Sequence, residues 1–162
     1  TRLRLLIKFF VSQANRGYLN GLASEFNEST NSIRKELNHL SSAGYLEKYK
    51  DNNKIAYKAN SNHPMFEILQ KVVFKHLGLE DIVESVLDQM GDVREIHLLG
   101  DYAKGRDTGQ IEVLLIGRNL NNNYIEKLEK KLKNLIEREV QFVISNRISS
   151  EQHTLLLYEN KS

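Results

Sequence analysis

Cysteine is absent from this chain of 162 residues, and proline occurs only once, at Pro64. Without cysteine, disulfide bonds, thiolate zinc sites and cysteine nucleophiles are excluded. Long apolar runs are also absent: stretches such as Leu5–Ile7 and Leu114–Ile116 are far shorter than the roughly 18 residues of a membrane helix. The chain enters a helical pattern at Leu3, which predicts no signal peptide. We therefore expect a cytoplasmic protein with no membrane partner.

Charge is unevenly distributed along the chain, although the formal net charge is only +2. Residues 1–62 carry ten lysines and arginines against five acidic residues, which makes this region +5. Residues 63–162 carry thirteen against sixteen, which makes the remainder −3. A basic head on a mildly acidic body is typical of a protein that binds a polyanion with one of its parts.

Three short helices are predicted in the basic region, because apolar residues recur there at helical spacing. Their apolar residues span Leu3–Phe10, Leu19–Phe26 and Ile33–Leu40. The first helix stops near Asn15–Gly17, which we interpret as a turn. Ser29 is a favourable N-cap for the third helix, and Gly44 follows its end.

The spacing of apolar residues then changes to the alternation of β-strands. Tyr45–Lys50 and Lys54–Ala59 are predicted to form a hairpin, with turn residues at 51–53. A polar stretch leads to Pro64, which is a favourable first residue for a helix. We therefore predict two domains, 1–62 and 63–162.

The third helix and the strand after it carry a recognisable pattern in Ser32-Ile33, Leu37, Leu40 and Ala43–Leu46. Together with the order of three helices and a basic hairpin, it resembles ArsR/MarR-like winged helix-turn-helix regulators over roughly residues 1–60. The resemblance implies binding to double-stranded DNA, with the third helix in a major groove about 12 Å wide. The predicted DNA-binding residues are Ser29, Thr30, Asn31, Arg34, Lys35 and Asn38 on the helix, and Lys48, Lys50, Lys54 and Lys58 on the hairpin.

Two interpretations of this region remain open. Modules of this size rarely bind DNA specifically as monomers, so we expect a homodimer on half-sites roughly one helical turn apart. The alternative is a winged helix that makes protein contacts, with its lysines forming a solvated face.

The remainder of the chain is predicted to combine helices with short apolar strands. Two helices have their apolar faces at 66–77 and 82–90, and a longer one spans 125–136. The predicted strands are Glu95–Leu99, Ile111–Ile116 and Val140–Ile144. Thr154–Tyr158 is either a further strand or a short helix.

A glycine-flanked loop between two of these strands carries a second pattern. Leu98–Thr108, followed by Ile111–Gly117, resembles the minimal nucleotidyltransferase family over roughly residues 64–146, with matches at Gly100, Tyr102, Ala103 and Gly105. The resemblance implies an α/β domain with a mixed sheet. The whole chain is thus predicted to be α+β, with a winged helix-turn-helix domain followed by this domain.

The residues at the family's catalytic positions differ from its pattern. The resemblance implies three acids that hold two metal ions, but their positions read Gln110, Glu112 and Gln141. Asp101 stands where a loop serine would hold a triphosphate, and its charge repels phosphate. Because one carboxylate cannot hold two divalent ions, we predict no catalytic residue, no metal site, no cofactor and no enzymatic activity.

This loop still offers features that suit an anion. Lys104 and Arg106 are basic, and the amides at Gly100 and Gly105 can form an anion nest. A nucleotide-like effector is therefore one interpretation, and a scaffold that forms the dimer interface is another. The residues of this vestigial nucleotide site are Gly100, Asp101, Lys104, Gly105, Arg106, Gln110, Glu112 and Gln141.

The sequence as a whole predicts a DNA-binding transcription regulator whose second domain serves sensing or dimerisation. Two alternatives remain. The chain is an active nucleotidyltransferase with a winged-helix targeting module, or it is an antitoxin-like module that binds a protein.

Overall fold

The structure is a computed structural model, and it describes residues 1–147 and 154–160. The predicted α+β class with a mixed sheet is confirmed. The chain divides into two compact units, Thr1–Val73 and Phe74–Ser162. This division lies further along the chain than the predicted boundary after residue 62. No helix in the described ranges combines the length and apolar character that spanning a membrane requires.

The first unit contains three helices and a small sheet before the helix that ends it. Its elements are α1 (Arg2–Phe10), β1 (Gly17–Tyr18), α2 (Leu19–Phe26), α3 (Thr30–Ser42), β2 (Leu46–Asp51) and β3 (Lys54–Ala59). The sheet has the order β1-β3-β2 and is antiparallel throughout. β1 was not predicted, and its start was expected to be a turn, because a strand of two residues is too short to show alternation.

The core of the first unit explains the orientation of α3. Ser29 caps this helix, and its hydroxyl oxygen accepts a hydrogen bond from the Ser32 amide at 3.2 Å. Ile33 and Leu37 are fully buried. Because residues three and four apart lie on one side of a helix, burying this face directs the polar residues between them to solvent.

The second unit carries a larger sheet and the helices that pack on it. Its elements are α4 (Phe66–Leu77), which begins in the first unit, α5 (Leu79–Gln89), β4 (Asp92–Leu99), α6 (Gly100–Ala103), β5 (Gln110–Arg118), a 3-10 turn (Asn122–Tyr124), α7 (Ile125–Ile136), β6 (Glu139–Ser145) and β7 (Thr154–Glu159). The predicted glycine loop thus starts with the helical turn α6. Residues 154–158 were predicted to be either a strand or a short helix, and they lie in the strand β7.

The larger sheet has the order β6-β5-β4-β7. β5 and β6 are parallel, with α7 in the connection between them, and the other pairs are antiparallel. α5 contacts α7 and β4, and α7 contacts β6. Ile96 and Leu98 on β4, and Val113 and Leu115 on β5, are fully buried. Since side chains alternate along a strand, the residues between them belong to the opposite face.

Gly78 joins α4 to α5 at a position where a larger residue does not fit. Its φ is +81°, and an added Cβ would lie 2.5 Å from Cγ2 and 2.7 Å from Cβ of Ile136 on α7. A side chain here would meet both backbone strain and a fixed neighbour. The close approach of α7 to this junction therefore depends on glycine.

We expect Gly78→Ala to lower the free energy of unfolding by about 2–4 kcal/mol, from left-handed strain together with overpacking. Urea unfolding followed by far-UV circular dichroism measures the change. Gly21→Ala is the matched control, because nothing lies within 4 Å of a Cβ at that helical position. It should leave stability unchanged or raise it by about 0.5–1 kcal/mol. Equal effects of the two substitutions would contradict this account of the junction.

Candidate functional site

The outer face of α3 is polar and exposed. Thr30, Asn31, Lys35 and Asn38 are exposed, as is Arg34. Nη1 of Arg34 donates a hydrogen bond to Oδ1 of Asn31 at 2.9 Å, so these two predicted residues hold each other in place. Ser29 is occupied by its capping role at the start of the helix. The predicted helix residues thus share one surface.

The hairpin distributes its four lysines over two faces. Lys48 and Lys50 pair in register with Tyr57 and Ile55, so these four share one face. Lys58 lies on the other face, where Nζ is 3.8 Å from Oε2 of Glu47. Because its charge already has a partner within the hairpin, Lys58 contributes less free charge than Lys48.

Lys54 is held near the tip of the same hairpin. Its Nζ lies 5.8 Å from the centroid of the Tyr18 ring, within reach of a cation–π contact. The Tyr18 hydroxyl in turn donates a hydrogen bond to Asp51, next to the turn. β1 thereby connects the hairpin tip to the body of the unit.

A groove of about 590 Å³ lies between α3 and the hairpin. Four predicted residues line it: Arg34, Asn38, Lys48 and Lys54. It is also lined by residues that the sequence analysis did not select, including Asn20, Ile55 and Tyr57. Ile55 is 52% exposed, and an apolar residue next to Lys54 near the tip of a hairpin is the signal that could have identified it.

The second candidate site lies on the larger sheet. Gln110 and Glu112 on β5 are exposed and alternate with the buried Ile111. In the parallel register Gln110 pairs with Glu139, and Glu112 pairs with Gln141. Because paired residues of adjacent strands point to the same side, the three predicted positions share one face. Glu139 is a carboxylate on that face that the sequence analysis missed.

The glycine loop comes close to this strand face. A Cβ on Gly100, whose φ is +64°, would lie 3.3 Å from Oε2 of Glu112. Asp101, Lys104 and Arg106 are exposed around it, and Gly105 is buried. The structure therefore brings the loop and the remaining strand acid, Glu112, close together.

A partly exposed network around the buried Tyr102 fixes the far end of this loop. The Tyr102 hydroxyl donates to Asp107 and accepts from the Gly109 amide at 2.7 Å. Nε and Nη2 of Arg138 donate to the two carboxylate oxygens of Asp107 at 2.9 and 2.8 Å. Nη1 of Arg138 also donates to the backbone oxygens of His76 and Ile136, each at 3.3 Å.

The electrostatics of the network follow from this geometry. The Arg138 hydrogen bonds hold the pKa of Asp107 below its ordinary value. Burial, together with the hydrogen bond to Asp107, raises the pKa of Tyr102 to about 12. Both residues therefore keep one protonation state at neutral pH. Nothing in a single sequence connects Asp107, just before β5, with Arg138, just before β6.

The chain shows limited similarity to known proteins. No protein-family model and no curated protein sequence matches it. A chain from the crystal structure of a toxin–antitoxin with AMP-PNP is similar, with 20% identity and a TM-score of 0.44 over 51% of this chain and 73% of that chain. A chain from the tri-AMPylated Shewanella oneidensis HEPN toxin in complex with MNT antitoxin has 19% identity and a TM-score of 0.43, over 54% and 74%.

These similarities contradict the prediction that the chain is not an enzyme, because one structure holds AMP-PNP and the other an AMPylated toxin. The physical flaw in the prediction is its count of carboxylates. It considered only three positions, whereas the register adds Glu139 beside Gln110. Among residues 1–147 and 154–160, however, no group of three or more His, Asp or Glu residues forms a metal-binding cluster.

We expect Asp107→Asn to lower the free energy of unfolding at pH 7 by about 1–2 kcal/mol, because it removes a charged hydrogen-bond acceptor that is 28% exposed. The depressed pKa of Asp107 makes this contribution present above the unfolded-state pKa of about 3.9. It is lost as the pH falls through the lower folded-state pKa. The stability difference from wild type should therefore shrink below about pH 4.

Urea unfolding of both proteins across this pH range measures the effect. Asp101→Asn is the matched control on the same loop, and its effect should stay within about 0.5 kcal/mol. A wild-type advantage that persisted undiminished to pH 2 would contradict the role of the Asp107 carboxylate.

Proposed function

We propose that the first unit is a winged helix-turn-helix module that binds double-stranded DNA, and that the chain acts as a DNA-binding regulator. The observation that carries the proposal is the groove in which Arg34 and Asn38 of α3 meet Lys48 and Lys54 of the hairpin. In this arrangement α3 enters the major groove, and the hairpin lies against the adjacent backbone.

The chemistry of each side chain supports this arrangement. Arginine pairs with guanine and asparagine with adenine through two hydrogen bonds each, so Arg34 and Asn38 are suited to base edges. Lys48 and Lys54 are suited to phosphate, which fixes position without reading sequence. The net charge of +5 over residues 1–62 favours the approach of a polyanion. A homodimer on two half-sites remains part of this proposal.

Fluorescence anisotropy with a duplex that the wild-type chain selects from a random library tests this function. Affinity should fall steeply as salt rises, because lysine–phosphate contacts release counterions. Arg34→Ala should weaken binding to the selected duplex by about 1–3 kcal/mol and relax its sequence preference. Lys48→Ala should weaken binding on all duplexes and reduce the salt slope by about 1.

Two variants serve as controls for these effects. Lys58→Ala should have less effect than Lys48→Ala, because Glu47 already accompanies Lys58. Lys127→Ala, on an exposed position of α7, should leave binding unchanged. Salt-independent affinity, or equal losses in all four variants, would argue against DNA binding by this groove.

A second function is favoured by the sheet face of the second unit. We propose that this face binds a nucleoside triphosphate and transfers its nucleotidyl group to a partner protein, in an antitoxin-like role. In such a transfer an acceptor oxygen attacks the α-phosphorus and pyrophosphate leaves. The supporting observation is the position of Glu112 against Gly100, with Glu139 diagonally beside it on the neighbouring strand.

The donor set on this face fits one magnesium ion rather than two. Magnesium is commonly held by one or two carboxylates together with substrate phosphates. Glu112 and Glu139 would hold it, with the amide oxygens of Gln110 and Gln141 on the same face. The bound ion would neutralise phosphate charge. Glu139 is also 3.0 Å from Nζ of Lys133, which keeps a positive charge near this edge.

Titration calorimetry with AMP-PNP and magnesium, together with pyrophosphate release from each of four nucleoside triphosphates, tests this second function. Glu112→Gln should weaken binding and turnover by at least about 10-fold, since loss of even outer metal contacts costs about 10–100-fold. Glu126→Gln, at an exposed position of α7, is the matched control and should be unchanged. No binding and no turnover in the wild-type chain would exclude the proposal.

A further inference from the structure

Helix α4 presents an apolar stripe to solvent. Ile68 is 51% and Val72 is 59% exposed, and Met65, just before the helix, is exposed as well. The spacing of three and then four residues places all three on one side of the helix. Lys71 and Lys75 are exposed beside this stripe. We refer to these five residues as the α4 stripe.

Helix α5 borders a groove of complementary character. This groove, of about 240 Å³, is lined by Phe74, Leu79, Val83 and Leu157, with Glu80 and Glu84 on its rim. Leu87 continues the apolar row one turn beyond Val83 and is also exposed. α5 carries four acidic residues and no basic one. We refer to this surface as the α5 groove.

We propose that the chain forms a symmetric homodimer in which the α4 stripe of each copy packs into the α5 groove of its partner. This inference rests on the proposed function in that it locates the interface of the expected dimer. A twofold axis makes both contacts at once, because each copy supplies one stripe and one groove.

The spacing of residues on the two helices supports this pairing. Ile68 and Val72 are four residues apart, as are Val83 and Leu87, so the apolar pairs have the same repeat along their helices. The charged residues repeat in the same way, with Lys71 and Lys75 on one surface and Glu80 and Glu84 on the other. Apolar contact between the surfaces would therefore place basic residues beside acidic ones.

The simplest alternative is an antiparallel pair of α4 helices, in which Glu67 and Lys71 of each copy would lie on one flank. Reversal of Glu80 and Glu84 distinguishes the two arrangements, because it would leave a pair of α4 helices unaffected. The acidic rim of the α5 groove offers Lys71 and Lys75 a favourable partner.

Charge reversal tests the proposal, with sedimentation velocity over a range of concentrations as the readout. The wild-type chain should be dimeric at micromolar concentration. The double variant Lys71→Glu/Lys75→Glu should dissociate at least tenfold more readily, and so should Glu80→Lys/Glu84→Lys. The matched control Lys127→Glu/Lys131→Glu reverses two exposed lysines with the same spacing on α7 and should leave the dimer unchanged.

Mixing the two double variants is the decisive measurement. In the mixed dimer, one contact joins the two reversed surfaces and the other joins the two unaltered surfaces. The mixture should therefore form a dimer that neither variant forms alone, a recovery that misfolded chains would not give. A monomeric wild type, unaffected double variants, or a mixture without recovery would each overturn the proposal.

The same samples separate this inference from the proposed DNA binding. Anisotropy should show that each double variant keeps a salt-dependent affinity for non-specific duplex DNA, since the groove lined by Arg34 and Lys48 is unaltered. A chain that dimerises as described but binds no DNA would disprove DNA binding and leave the interface standing. A chain that binds DNA as a monomer would disprove the interface alone.

Discussion

The bidentate ion pair between Arg138 and Asp107 is the contact on which the candidate site of the second unit depends. One guanidinium binds both carboxylate oxygens of Asp107 and two backbone oxygens, those of His76 and Ile136. It therefore joins the glycine loop to the ends of α4 and α7. Asp107 in turn holds the hydroxyl of the buried Tyr102. Without this ion pair, the loop that places Gly100 against Glu112 would lose its fixed end.

In the first unit, the residues of the candidate site are positioned in a different way. The orientation of α3 follows from the burial of Ile33 and Leu37, which directs Arg34 outward. The hairpin is held in place because β3 pairs with β1 and because the Tyr18 hydroxyl donates a hydrogen bond to Asp51. Under the two proposed functions this difference is useful, because a surface that follows a duplex can tolerate some freedom in its side chains, whereas a site that positions phosphate needs fixed donors.

Periodicity made most of the helices and strands predictable, because burial of one face leaves a repeat of 3.6 or two residues in the sequence. The inner residues of α3 and the alternation on β5 are examples. β1 left no repeat, and its pairing with Ala56 and Tyr57 depends on tertiary structure. The division of the hairpin lysines between two faces follows from register, which the sequence alone does not determine.

The site in the second unit was predictable only where it follows a known pattern. Gly100, Glu112 and Gln141 were identified by resemblance, and they share one region of the sheet. Glu139 and Arg138 belong to no pattern, and their importance comes from parallel pairing and from a contact 31 residues away in sequence. The expectation of an inactive domain counted acids along motif positions only, whereas the parallel register places Glu139 on the same face as Glu112.

The proposed dimer and the proposed DNA binding would both use the uneven charge of the chain. A row of acids such as Glu80 and Glu84 would be repelled by a polyanion bound to the same molecule. If lysines of a second copy cover that row, the repulsion falls, and two basic units are held for two half-sites. In such a dimer Lys71 and Lys75 would contact acidic residues of the partner chain, whereas Lys48 and Lys54 would contact DNA phosphates. The acidic residues of α5 would thus select the lysines of a second copy, and the basic residues of the first unit would select the nucleic acid.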